Sequence, residues 1–216
     1  MIKAVVFDFG GVLAEEGFRE GLKAIGKKYG LDPDSFYTIG RELVYQTGYV
    51  TGRATEADYW SAIRQRTGID GEDEELRNEI LNRFIVREEM IELVKRLKSS
   101  GFVTAILSDQ TNWLEEINQV SSFSGNFDYI FNSFRLKKSK RDSLIFRDMC
   151  SAMGFEPDDV IFIDDSSENI ERASAAGLVA IHFRNMQNLK RELLDLINLE
   201  KSSADVERAK NVSREP

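Results

Sequence analysis

The segment Ile2-Lys3-Ala4-Val5-Val6-Phe7-Asp8-Phe9-Gly10-Gly11-Val12 decides how the chain is read. The apolar run from Ile2 to Phe7 reads as a buried strand that delivers Asp8 to its carboxyl end. The pair Gly10-Gly11 opens the next loop, so that a ligand can approach the backbone. Three later strand-end clusters can meet Asp8: Leu107-Ser108-Asp109, Lys140, and Ile163-Asp164-Asp165. Carboxylates from two places, a hydroxyl and an amine on one sheet edge describe a metal-assisted phosphate site better than a binding surface.

Working outward, five short apolar segments read as strands: Ile2–Phe7, Val103–Leu107, Tyr129–Phe131, Val160–Ile163 and Leu178–Ile181. Several are continuous rather than alternating, as expected for a parallel sheet covered on both faces. Helical patterns lie between them. Ile91, Leu93, Val94 and Leu97 precede the second strand, and Trp113, Leu114, Ile117 and Val120 follow it. Leu144, Ile145, Met149 and Met153 run up to Gly154, while Ile170, Ala173 and Ala176 run up to Gly177. The alternation predicts an α/β fold, a doubly wound, mostly parallel sheet of five or six strands in the Rossmann-like manner.

Residues 16–87 break that rhythm. Phe18, Leu22, Ile25 and Tyr29 form one helical stripe; Phe36, Ile39 and Leu43 form a second; Tyr59, Trp60 and Ile63 a third; Leu76, Ile80, Leu81 and Phe84 a fourth. Thr55 with Asp58 offers a cap for the third helix. So many helical residues are far too long for an ordinary crossover. They predict a helical cap domain over 16–87, inserted into an α/β core of 1–15 and 88–200, with the site in the interface. Few apolar anchors follow Leu199, and 201–216 reads as a flexible tail.

Composition narrows the function classes. The 216 residues carry a formal charge of −8, which argues against a broad nucleic-acid footprint. The opening residues lack signal-peptide architecture and no apolar run approaches the length of a membrane span, so a cytoplasmic protein without membrane attachment is expected. The single cysteine, Cys150, excludes an internal disulfide framework and falls on an apolar helical stripe, as a core thiol would. The lone histidine, His182, reads as structural or as part of the site rim.

The chemistry follows from the residue types. A carboxylate such as Asp8 can attack phosphorus and form an acyl-phosphate that water hydrolyses. Mg²⁺ offsets the repulsion between that anion and the phosphate. The Ser108 hydroxyl and nearby N–H groups can hold a phosphate oxygen, although a helix cap is the alternative for this serine, and Asp109 or Thr111 can supply that cap instead. Lys140 lies in the basic run 137–141, from which composition alone selects no single lysine. The adjacent carboxylates Asp164 and Asp165 repel one another, which a metal or a lysine relieves. In the insert, Arg41 and Tyr45 can approach Asp8, with the arginine able to clamp an anionic group and solvation as its alternative. Trp60 reads as insert core.

These motifs resemble the haloacid dehalogenase-like hydrolase superfamily, in the branch with a small helical cap after the first strand, over most of residues 1–185. Phe7-Asp8-Phe9-Gly10-Gly11-Val12-Leu13 is similar to the nucleophile motif, and Leu107-Ser108-Asp109 to the phosphate-holding serine motif. Counting back from Ile145-Phe146 sets Lys140 at the family lysine. Phe162 to Asn169 resembles the acidic metal motif, with Asp165 the principal metal carboxylate, Asp164 where glycine is common and Asn169 where aspartate is common. The resemblance implies Asp8, Ser108 and Lys140 as catalytic residues. It implies Mg²⁺ on Asp8, the Gly10 carbonyl, Asp165 and Asp164, and a substrate touching Gly11, Ser108, Asp109, Arg41 and Tyr45. Phosphatases of this superfamily usually carry a second aspartate two residues after the nucleophile; here that residue is Gly10, a variation related to sugar 1-phosphate phosphatases.

Three readings follow. The leading one is Mg²⁺-dependent hydrolysis of a small phosphorylated metabolite, a sugar phosphate or a relative, by a monomer or homodimer. The second is metal-independent 2-haloacid dehalogenation, whose halide leaves without an acid. The third is a non-catalytic member that binds a phosphorylated ligand or a protein.

Overall fold

The computed structural model describes residues 1–197; the expected tail over 201–216 lies outside the described residues, as do 198–200. Five strands, β1 (Ala4–Phe7), β2 (Val103–Ser108), β3 (Tyr129–Asn132), β4 (Val160–Asp164) and β5 (Val179–His182), form one parallel sheet in the order β3-β2-β1-β4-β5. The chain winds one way from β1 through β2 to β3, and the other way through β4 to β5. That reversal puts the carboxyl end of β1 at the switch point where open α/β sheets bind ligands.

Side chains alternate along each strand, so the sheet has two apolar faces. Val5, Phe7, Ile106, Ile161 and Ile163 belong to the core that includes α5 (Glu88–Ser99), α6 (Trp113–Ser121) and α10 (Met186–Ile197). After β3 comes the short α7 (Ser133–Leu136), and Ala4, Val6, Ala105, Leu107 and Phe162 face α8 (Leu144–Met153) and α9 (Ser167–Ala175). Cys150 is buried in this second layer, and burial pushes its thiol up to about 11, consistent with a core residue.

At their carboxyl ends β2, β3, β4 and β5 run one residue further than their apolar stretches, whereas β1 ends at Phe7 as expected and begins at Ala4 rather than Ile2. Ser108 pairs with Asn132 and Asp164 with His182, because ladder hydrogen bonds continue regardless of side-chain polarity. Asp164 is therefore the last residue of β4 rather than the first of the loop.

Between β1 and α5 lie four helices: α1 (Gly17–Lys28), α2 (Pro33–Gln46), α3 (Glu56–Thr67) and α4 (Asp73–Leu81). Asp32 caps α2 by accepting from Ser35 N–H at 2.7 Å, with Pro33 in the first turn. Thr55 and Asp58 form a reciprocal capping box on α3. Two glycines set how closely the helices pack. A Cβ on Gly21 would lie 2.6 Å from Ile80 Cα, and one on Gly40 would lie 2.7 Å from a Leu22 methyl.

The insert leaves and rejoins the sheet side by side. Ala14 bridges Val86 antiparallel, Glu15 N–H donates to Ile85 O at 2.9 Å, and Arg87 N–H donates to Leu13 O at 2.9 Å. An aromatic cluster joins it to the sheet domain. Tyr59 and Trp60 of α3, with Tyr49 from the turn after α2, pack around Trp113 of α6 at centroid distances from 5.6 to 6.3 Å. Glu56 accepts both indole N–H groups, from Trp60 at 3.1 Å and from Trp113 at 3.0 Å, so neither is stranded by burial.

Candidate active site

Asp8 leaves the end of β1 with its N–H donating to Ile163 O at 2.8 Å, which holds it level with the end of β4. Its Oδ1 accepts from Phe9 N–H at 2.7 Å and from Lys140 Nζ at 2.8 Å. The same ammonium donates to Asp164 Oδ2 at 2.7 Å, and Lys140 is only 1% exposed. Asp164, wholly buried, also accepts from Ser166 N–H at 2.8 Å and from Asn169 Nδ2 at 3.1 and 3.2 Å. Three donors thus fix Asp164, and Asp164 fixes Lys140.

Asp109 organises the opposite side. Its Oδ1 accepts from Lys140 N–H at 2.8 Å and from the Ser133 hydroxyl, and its Oδ2 accepts from Tyr45 OH at 2.8 Å. The Asp109 carboxylate, expected at the substrate, is occupied by protein donors, and the Tyr45 hydroxyl is spent on it. Both residues line the cavity while tying α2 to the end of β2.

Asp8, Asp164 and Asp165 offer carboxylate oxygens that all lie within 4.8 Å of one another. Gly11 completes this corner: with φ at +78° it is in the left-handed region, and a Cβ there would sit 2.3 Å from Asp165 Oδ2. Arg87 holds the loop from behind, donating to Gly11 O at 2.8 Å and Val12 O at 3.1 Å.

Electrostatics follow from burial. Burial raises the Asp8 carboxyl well above the usual range and the charges of Asp164 and Asp165 raise it further, against the pull of Lys140. Burial and Asp164 likewise raise Asp165. For Lys140, burial favours the neutral amine, but Asp164, Asp8 and Asp109 outweigh it and hold the ammonium charged. Three carboxylates against one ammonium leave excess negative charge, and the donors are all hard oxygens. This donor set fits a divalent cation such as Mg²⁺.

A cavity of about 420 Å³ opens above Asp8 and is lined by residues of the sheet edge and of α1 and α2. Ser108, 2% exposed, and Lys140 line it, as does Arg41, which stands half exposed at the mouth with Glu168 Oε2 3.8 Å away. The guanidinium of Arg141 stacks on the Tyr45 ring at 3.4 Å from its centroid. His182 takes a rim position, with Nε2 3.0 Å from the Asp165 carbonyl. Thr111, not Ser108, supplies a hydroxyl to the start of α6, accepting from Trp113 N–H at 3.2 Å. Trp60 is fully buried in the insert.

Two wall residues escaped the sequence reading. Glu16 stands at the start of α1, and burial pushes its carboxyl up to about 7 against the pull of Arg19, whose Nε lies 3.3 Å away. Arg19 Nη2 is in turn 4.0 Å from Asp165 Oδ2. Acidic and basic residues in the first turn of an amphipathic helix ordinarily read as solvated, and only the fold of the Gly10 loop brings them to the site.

Residues 2–177 match the family described as haloacid dehalogenase-like hydrolase. Among known proteins, the chain is 26% identical over 214 residues to bifunctional epoxide hydrolase 2 of Sus scrofa, covering 89% of this chain and 38% of that protein. It is 28% identical over 131 residues to flavin mononucleotide hydrolase 1 of Arabidopsis thaliana, covering 59% of this chain and 54% of that one. The chain thus spans well under two thirds of the length of either relative. Among solved structures, a HAD family enzyme of Bacteroides thetaiotaomicron superimposes with a TM-score of 0.68 at 22% identity, covering 85% of this chain and 94% of that one. That enzyme has also been crystallised with magnesium and inorganic phosphate.

Proposed function

Because the chain belongs to the haloacid dehalogenase-like hydrolases, we propose that it hydrolyses a small phosphomonoester with the aid of Mg²⁺. The observation that carries this reading is the cluster of Asp8, Asp164 and Asp165 at the β1 switch point, with its excess of negative charge. Metal-independent substitution at carbon needs one further carboxylate at most, to activate the water that cleaves the ester, whereas three clustered carboxylates fit a divalent cation. The magnesium–phosphate complex of the Bacteroides thetaiotaomicron enzyme and the hydrolase name of the Arabidopsis thaliana relative point the same way.

Asp8, the Gly10 carbonyl and Asp165 would hold the ion, with Asp164 beside them. When bound, it supplies charge that lets an anionic nucleophile meet an anionic phosphate. Asp8 attacks phosphorus through its free oxygen while Lys140 holds the other. Lys140 and the Ser108 hydroxyl take the phosphate oxygens, and water then cleaves the aspartyl-phosphate. The insert closes the far wall, where Arg19 and Arg41 with Arg141 and Arg172 of the sheet domain favour an anionic metabolite such as a sugar phosphate. Such a substrate diffuses freely in the cytoplasm and needs neither nucleic acid nor membrane. Among the described residues no helix is long and apolar enough to cross a membrane.

The runner-up, 2-haloacid dehalogenation, draws on one observation: Gly10 offers no acid beside Asp8. Phosphate release from p-nitrophenyl phosphate, with Mg²⁺ and with chelator, separates the two. Release that needs both Mg²⁺ and Asp8, and vanishes in Asp8→Asn, is the expected result. Halide release from a 2-haloacid without metal would overturn it.

A further inference from the structure

An ester oxygen that departs as an alkoxide needs a proton, and a positioned acid is worth about 10²–10⁴-fold in rate. The loop that carries Asp8 supplies none, since Gly10 has no side chain. We propose that Glu16 is the general acid and base of this site, an assignment that rests on the phosphomonoesterase reading.

The geometry is specific. A Cβ built on Gly10 would lie 3.4 Å from Glu16 Oε1, which is the side-chain oxygen nearest that point. The carboxyl enters from the start of α1, one element away, and borders the point where a side chain at position 10 would begin, with Phe84 Cε1 at 3.4 Å and Gln110 Nε2 at 3.9 Å on its other sides. Glu16 Oε2 is the oxygen paired with Arg19, which leaves Oε1 as the one turned toward the loop. Asp8 and Glu16 line the same cavity.

The other acids of that cavity are committed. Asp109 takes three donors, from Lys140, Ser133 and Tyr45. Asp165 stands in the carboxylate cluster, and Glu168 lies out at the mouth, 60% exposed, between Arg41 and Arg172. His182 faces the Asp165 carbonyl, and Tyr45 donates its proton to Asp109. The Tyr37 ring lies under the Arg19 guanidinium, 5.7 Å from its centroid.

In the first step an Asp8 oxygen bonds to phosphorus, the bond from phosphorus to the ester oxygen breaks, and the Glu16 carboxyl proton passes to that oxygen. The products are the alcohol, the aspartyl-phosphate and the Glu16 carboxylate. In the second step Glu16 takes a proton from water as the water oxygen bonds to phosphorus and the Asp8 oxygen leaves. Hydrogen phosphate is released, and Asp8 and protonated Glu16 are restored.

The test is a series of substituted phenyl phosphates whose leaving-group pKa runs from about 4 to about 10. Wild type, Glu16→Gln and Glu16→Gln/Gly10→Asp are compared at saturating Mg²⁺, with Mg²⁺ affinity measured separately by calorimetry. The backbone at position 10 tolerates the aspartate, because a Cβ there meets nothing nearer than 3.4 Å and its φ is not positive. In Glu16→Gln we expect kcat to fall about 100-fold or more on unsubstituted phenyl phosphate and less than about 10-fold on the dinitrophenyl ester. KM and Mg²⁺ affinity stay the same, and the added aspartate recovers at least about tenfold on the phenyl ester. An equal loss across the series, no loss, or a loss that tracks weakened Mg²⁺ binding overturns the assignment. Wild type that hydrolyses none of the esters overturns the phosphomonoesterase reading itself.

Discussion

Lys140 is the residue on which the electrostatics of the site turn. It is a buried ammonium between two buried carboxylates, and removing one member of such an arrangement costs about 3–5 kcal/mol because charge is left unpaired. Lys140→Met, in chelator at pH 8, should lose stability on that scale by urea unfolding. The deficit should shrink as pH falls, because burial and the neighbouring carboxylates raise Asp8 and favour its neutral form. Glu16 gives a second pH signature. Its carboxyl sits at about 7 in the fold, above its ordinary 4.5, so the stability it contributes is full below about 4.5 and is lost as pH rises through about 7. Metal-free Glu16→Gln should therefore melt with wild type at pH 4.5 and roughly 2–6 °C higher at pH 8 by differential scanning calorimetry. At this scale the sequence was legible only where a residue follows a strand. Asp8, Ser108 and Asp164 could be placed by their apolar runs. The role of Asp109 could not, since it depends on Ser133 and Tyr45, which are far along the chain, and the choice of Lys140 came from a resemblance rather than from its basic neighbours.

The helices of the insert show where close approach outranks propensity. Alanine is the better helix former by about 1 kcal/mol, yet a methyl on Gly21 would press on the Ile80 backbone. Overpacking of that kind costs about 1–3 kcal/mol, so Gly21→Ala should destabilise the protein in urea despite its propensity gain. Thr55→Ala removes half of the capping box on α3 and should cost about 1 kcal/mol without altering KM, because the cap lies away from the cavity. The helical stripes on α1, α3 and α4 were readable from spacing, as was the box at Thr55 and Asp58; on α2 the buried face is Phe36, Gly40 and Val44 rather than Phe36, Ile39 and Leu43, because small Gly40 is what lets α2 approach Leu22. Strand ends were read one residue short wherever a polar side chain occupied a ladder position, as at Ser108 and Asp164. Periodicity reports burial of side chains, whereas the ladder is made by the backbone.

For the whole molecule, the aromatic cluster predicts that insert and sheet unfold together. Trp60 lies in the insert and Trp113 in the sheet domain, and their rings are 6.0 Å apart over a shared Glu56. Fluorescence of Trp60→Phe and of Trp113→Phe should follow one urea transition that coincides with the loss of helix by circular dichroism. Separate midpoints would mean that the insert is an independent unit. The order of strands was visible in the sequence only as a parallel, doubly wound pattern; the arrangement β3-β2-β1-β4-β5 needed the register.

The paired linkers at Ala14 and Val86 bear on how the chain reaches this state. Phe7 of β1 pairs with Ile106 of β2, about 100 residues later, a closure that is entropically costly for an open chain. With the insert folded and its two ends zipped by the Glu15–Ile85 and Arg87–Leu13 hydrogen bonds, the same pairing spans a short connection. Low sequence separation of contacts speeds folding, so prior assembly of the insert would quicken formation of the central ladder. A substitution such as Gly21→Ala, distant from every strand, would then act on the refolding rate of the sheet.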